Sequence, residues 1–167
     1  MGEGKSMNRS VKVIILLLVL FCLGGCDSGT QGVIFENEDR LKESGDSYSF
    51  SNKVGEITSE QGQVEFSGFS GVYTALYLNS TSDTTTQIMI SGKIRRGDFK
   101  LIQITADHQL ITLWEGEGNK DMSITVPAGE GSIKWVGRNA AGHITMKLVP
   151  QVGLEAQPHG DLFDEEE

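Results

Sequence analysis

Oxygen-bearing side chains recur at every second position in the run Glu115-Gly116-Glu117-Gly118-Asn119-Lys120-Asp121. Calcium takes about six to eight oxygen ligands, and loop sites supply them at i, i+2, i+4 spacing. Glu115, Glu117, Asn119 and Asp121 are therefore the candidate metal ligands. Against a tight site, glutamate is long for close loop coordination, and Lys120 puts a cation among the ligands. The competing reading is a hairpin turn at Gly118-Asn119 with solvated charges. A second constellation is aromatic. By period-2 alternation Tyr73 and Tyr77 share one face of an extended segment, and Trp114 lies opposite Ile111 and Leu113. Tyr73, Tyr77 and Trp114 form a candidate platform for stacking a sugar ring; the alternative is packing beneath a loop. Trp135 shares a face with Ile133 and reads as core. Arg95-Arg96 offers a bidentate grip for a carboxylate or phosphate, or else a solvated turn.

Catalytic patterns are sparse. A hydrolytic triad needs a nucleophile, a base and an orienting group. His108, His143 and His159 sit in no recognisable base motif. Gly68-Phe69-Ser70-Gly71 lacks the spacing of a nucleophile elbow. Zinc needs clustered His and Cys, and nucleotide binding needs a Gly-rich loop between strand and helix. Neither pattern occurs. The residues read as a binding or interaction module that is not an enzyme and needs no cofactor. One alternative is a glycan-active hydrolase whose paired carboxylates come from separate loops. The other is a structural or stress protein of the cell envelope.

The elements that must hold these residues are strands. A chain of 167 residues suits one domain. Its 14 basic and 23 acidic side chains give a net charge of −9. That balance argues against a nucleic-acid partner, because phosphates need clustered Lys and Arg. From Ser47 to Leu148, β-forming segments alternate with turn signals at Arg95–Asp98, Ala106–His108, Gly118–Asn119 and Asn139–Gly142. Roughly nine short strands result. This spacing is the signature of an all-β antiparallel β-sandwich, here taken as jelly-roll-like. A parallel sheet would need intervening helices. The domain is assigned to residues 47–149, after a tether over 26–46 in which 37–42 is a helical turn or a charged loop. Residues 150–167 are acidic and contain Pro150, Pro158, Gly153 and Gly160. They read as a disordered tail that aids solubility; docking to a basic partner is the alternative.

The first 25 residues read as an address. Arg9 and Lys12 precede an uncharged run from Val13 to Gly25. That run is shorter than the roughly 20 residues a membrane-spanning helix needs. The layout is that of a secretory signal peptide. Leu23-Gly24-Gly25-Cys26 resembles the lipobox of bacterial lipoproteins. The resemblance implies a diacylglyceryl group on Cys26 and cleavage just before it. It also implies anchoring on the outer face of the cytoplasmic membrane. The partner of the binding module itself is read as another envelope protein, a glycan or a small ligand. Two or more acyl chains hold stably where one does not. Cys22 would leave with the leader, so the mature chain would form no internal disulfide. Asp27 resembles an inner-membrane retention signal in Gram-negative lipoproteins and carries no such meaning in Gram-positive ones, so the envelope type stays open. The segment Ile133-Lys134-Trp135-Val136-Gly137, followed by Ala141-Gly142-His143-Ile144, loosely resembles the closing hairpin of small surface-lipoprotein sandwiches, which bears on fold alone. Cys26→Ser is expected to abolish incorporation of labelled fatty acid and to release the chain from membranes; unchanged labelling and fractionation would contradict the assignment.

Overall fold

The computed structural model describes residues 33–160. Cys26 and the leader lie outside the described residues. The described elements are α1 (Glu38–Lys42), β1 (Ser47–Ser49), β2 (Asn52–Ile57), β3 (Gln61–Ser80), β4 (Thr84–Ile104), β5 (Leu110–Glu115), β6 (Glu117–Val126), β7 (Gly129–Leu148) and β8 (Leu154–Pro158). All strand pairings are antiparallel and belong to one sheet. No described helix is long and apolar enough to cross a membrane.

Three strands of about twenty residues form the centre, in the order β3-β7-β4. Each bends midway. β3 bends at Gly68 (φ +63°) and Gly71 (φ +105°), β4 at Gly97 (φ +69°) and β7 at Asn139 (φ +50°). Pairing registers shift at the same level: between Phe66 and Gly71 against β7, and between Ile94 and Asp98 on β4. The edges bend there too. β2 and β1 pair with successive parts of β3 on either side of Gly68. β6 and β5 pair with successive parts of β4, and Gly116 (φ +83°) joins them at the corner. The Gly116 N–H donates to the Phe99 carbonyl at 3.1 Å. Such bulges and left-handed residues let a strand turn sharply without leaving its sheet.

The sheet therefore folds over itself along one line. The result is the all-β antiparallel, jelly-roll-like fold that the strand pattern predicts. The half with β2 and β6 alternates cleanly: Val64, Ile88, Ile90, Ile144 and Met146 point inward, while Glu65, Ser91, His143 and Thr145 point out. Its partner half contributes Tyr73, Leu101, Leu113 and Trp135 to the same core. Aromatic rings fill the fold line, with Phe66 4.9 Å from Phe99 and Phe99 6.2 Å from Trp114. Gly92 permits this packing, because a Cβ there would meet the Trp114 and Ile144 side chains at 3.0 and 2.9 Å. The alternation around Ile88 leaves Gly92 as a bulge or a close contact; it is the close contact.

Several boundaries differ from those the sequence suggests. The expected turns at Arg95–Asp98 and Asn139–Gly142 are corners within continuous strands. Gly118-Asn119 lies inside β6 and makes no hairpin, and β5 and β6 pair with different parts of β4. The Ala106–His108 turn is present, with His108 at φ +61° and its N–H on the Thr105 carbonyl. Residues 33–46, assigned to a tether, pack against the sheet: Ile34, Phe35 and Leu41 cover Val72, Ile102, Ile104 and Val136 on its outer face. The acidic segment from 150 does not run free at its start, since β8 pairs Leu154–Pro158 with Leu76–Ser80 of β3. Burial of apolar side chains explains both additions, because Leu154 and Ala156 lie against the core.

Gly97→Ala tests the corner. A Cβ there would strike the Arg138 and Asn139 carbonyls, and the φ is one an L side chain rarely adopts. The substitution is expected to cost at least about 1–3 kcal/mol in urea unfolding. Gly45→Ala, with nothing within 4 Å of its new Cβ, is the near-neutral control. Equal midpoints for the two variants would contradict the role given to the corner.

Candidate functional site

The predicted sites do not assemble as the sequence suggests, and two β-bulges are the reason for the aromatic set. A register shift between Thr74 and Leu76 inserts an extra residue into β3. Period-2 alternation fails across it, so Tyr73 is buried in the core while Tyr77 is 43% exposed on the opposite face. A second shift on β5 pairs Trp114 with Leu101 and Thr112 with Ile102. Leu113 and Trp114 both turn inward as a result, and Trp114 is 4% exposed. Its indole N–H donates to the Gly118 carbonyl at 3.2 Å. Of the proposed platform only Tyr77 is at the surface. Trp135 is fully buried, as its alternation with Ile133 predicts.

The candidate metal ligands are also separated. Glu117, Asn119 and Asp121 lie on strand β6, opposite Lys93, Ser91 and Met89 of β4. Alternate residues of a strand stand about 7 Å apart, so this stretch does not wrap a cation as a loop does. Asn119 instead accepts from the Ser91 hydroxyl at 2.6 Å, and Glu115 is an exposed residue on the far side of Gly116. Among the described residues no group of three or more His, Cys, Asp or Glu is placed to hold a metal. The arginine doublet is divided: Arg95 pairs with Glu65 at 2.9 Å, and Arg96 donates to Asn139 at 2.9 Å.

What the fold does bring together is a grid around Tyr77, on the outer face formed by β7, β3 and β8. Asn79 pairs with Glu130 on one side and Glu155 on the other. One row along, Tyr77 pairs with Ser132 and Gln157. Residues opposite one another on adjacent strands point to the same face. A cleft of about 240 Å³ is lined by Tyr77, Asn79, Glu130, Glu155 and Gln157, and the Gln157 amide fixes Glu155 at 2.8 Å. Tyr77, Glu130 and Gly131 also line a second cleft of about 210 Å³ that extends to Lys42, His108 and Lys134. A larger depression of about 450 Å³ lies on the other half-sheet, against Glu56, Gln63 and His143, but no Phe, Tyr or Trp lines it.

The wall of the Tyr77 clefts is tied by charge. Asp46 accepts from the Thr74 N–H at 2.7 Å and from its hydroxyl at 2.8 Å. Lys134 is 3% exposed, and its ammonium donates to the Glu43 carbonyl. Burial holds the Lys134 pKa below the usual lysine value, opposed by the negative charges of Asp46 and Glu43. The ring of His159 lies on Tyr77, with centroids 5.6 Å apart and planes at 26°. Its Nδ1 is 3.1 Å from the Tyr77 hydroxyl and 3.5 Å from Asp46. Sequence reasoning missed Lys134, Asp46 and His159. Lys134 alternates with Ile133 and Trp135, which correctly gives an outward direction, but nothing local reveals that residues 33–46 cover it. No sequence signal links His159 to Tyr77 across 82 positions.

No protein-family model matches the chain, and no curated protein matches it in sequence. Solved structures similar to it include a family 35 carbohydrate binding module from an environmental isolate (16% identity, 67% of this chain and 80% of that one, TM-score 0.34). Others are CBM35 from Paenibacillus barcinonensis (12%, 66% and 96%, TM-score 0.33) and an oxalate oxidase in complex with the substrate analogue glycolate (10%, 77% and 65%, TM-score 0.35). Likeness of this size bears on neither ligand nor chemistry.

Lys134 generates a pH prediction. Burial favours its neutral amine, so the folded chain holds fewer protons than the unfolded chain between the lowered folded pKa and the ordinary value of about 10.4. The penalty is present in full below the folded pKa, and stability rises with pH through that window. The stability of the wild type relative to Lys134→Met should therefore improve as the pH rises towards the ordinary lysine value. Parallel stability curves for the two proteins would contradict it.

Proposed function

We propose that this chain is a lipid-anchored binding module, held outside the cytoplasmic membrane through Cys26, that recognises a glycan in the Tyr77 cleft. The observation that carries the reading is one exposed aromatic ring set among polar side chains on a rigid sheet face, beside a cleft of about 240 Å³. Aromatic rings offer a large apolar face at small conformational cost, while amide and carboxylate groups select among hydroxyls. Tyr77 supplies the ring; Asn79, Gln157, Glu130 and Glu155 supply the polar contacts. Among the described residues neither Glu130 nor Glu155 is in an ion pair, and no cation lines this cleft. The favoured sugars are accordingly neutral ones or ones bearing a free amine, and acidic sugars are disfavoured.

A hydrolytic reading has one observation behind it, namely that Glu130 and Glu155 line the same cleft on either side of Asn79. Their backbones are two strand spacings apart, about 10 Å. If the pair were catalytic, incubation with a bound glycan would release new reducing ends, and Glu130→Gln would stop it. Our reading expects binding with no release.

The direct test is a glycan array probed with the detergent-solubilised full chain. Tyr77→Ala is expected to weaken binding about tenfold, or roughly 1.4 kcal/mol, while the protein still folds. Trp114→Ala is no probe of the site, because emptying that core position should cost about 3–5 kcal/mol of stability. Glycan binding untouched by Tyr77→Ala, or absent altogether, would overturn the proposal.

A further inference from the structure

We infer that His159 is a positioning residue for Tyr77, fixing the ring that a ligand meets. The inference rests on the reading of the Tyr77 cleft as the binding surface. β8 ends at Pro158, and the next residue is held at three separate points. The His159 N–H donates to the Ala75 carbonyl at 3.4 Å. Its own carbonyl accepts from the Tyr73 hydroxyl at 2.9 Å. Its ring lies on Tyr77 and meets the Tyr77 hydroxyl through Nδ1. Ala75 is the extra residue of the bulge that sends Tyr77 outward, and Tyr73 lies just before that bulge. The main-chain bonds thus place the imidazole relative to the same stretch of β3 that places Tyr77.

Tyr77 needs such a partner. An exposed tyrosine on a sheet keeps freedom about both side-chain torsions, and a ligand must remove that freedom on binding. His159 contacts the ring on its face and at its hydroxyl, and two separated contacts restrain both torsions. Asp46 stands 3.5 Å from the same imidazole nitrogen and is itself held by Thr74. The segment before β1 and the segment after β8 therefore converge on one ring.

The test compares His159→Ala and His159→Phe in the full chain, with two readouts. The first needs no ligand: the nitration rate of Tyr77 by tetranitromethane, assigned by peptide mass and separable from buried Tyr73 and half-buried Tyr48. The second is affinity for a glycan that the wild type binds. His159→Ala is expected to raise Tyr77 nitration several-fold and to weaken binding about three- to tenfold. His159→Phe keeps the stacking and should recover much of both. An unchanged nitration rate in His159→Ala would overturn the inference. So would loss of hydrogen-exchange protection at Glu155 and Gln157 in that variant, which would show His159 to be a general anchor of β8. If no glycan binds the wild type, the functional reading fails while the nitration result still decides the role of His159.

Discussion

The structure depends on one conformational constraint: five lengths of chain must turn the same corner at the same level. Left-handed backbone is open to glycine at little steric cost and is disfavoured for most other residues. Gly68, Gly71, Gly97 and Gly116 supply it in β3, β4 and the β5–β6 link, with Asn139 as the tolerated exception in β7, while the β1–β2 link turns without a left-handed residue. Because β3, β4 and β7 stay hydrogen-bonded through the bend, the two halves of the sheet face one another with no loop between them. The space they enclose is filled by Phe66, Phe69, Phe99, Trp114 and Trp135. The aromatic core and the glycine corner require each other, since rings of that size need facing sheets and the sheets face only because the chain bends.

The same constraint explains what could be read from the chain beforehand. Alternation of apolar residues correctly marks the β-forming regions and the burial of Trp135, and the lack of helices between them correctly gives the antiparallel pairing. It cannot tell a hairpin turn from a strand corner, since both ask for a residue at positive φ. Arg95–Asp98 and Asn139–Gly142 therefore look like breaks, and long bent strands look like many short ones. Bulges are equally invisible to a rule of period two. One extra residue near Ala75 puts Tyr73 and Tyr77 on opposite faces, and another near Leu113 drives Trp114 into the core. Of the three residues of the proposed platform only Tyr77 is at the surface. His159 meets Tyr77, Asp46 meets His159 and Thr74, and Lys134 meets Glu43 through contacts between distant segments, which leave no local trace.

The surface reading follows from that geometry. Strand registry, not loop conformation, sets the spacing of Glu130, Asn79, Glu155, Ser132, Tyr77 and Gln157. A site built on a sheet is preorganised, so little ordering opposes binding. From the end of the described chain His159 stacks on the exposed Tyr77 ring, and from its beginning Asp46 lies beside the His159 imidazole while bonding Thr74.

The most direct measurement is an amide-shift map of the protein titrated with neutral and amine-bearing oligosaccharides. The account predicts saturable shifts centred on Tyr77, Asn79, Glu130 and Gln157, with the opposite half-sheet around Glu56, Gln63 and His143 unmoved. Shifts centred on Gln63 and His143, or none at any sugar concentration, would contradict it.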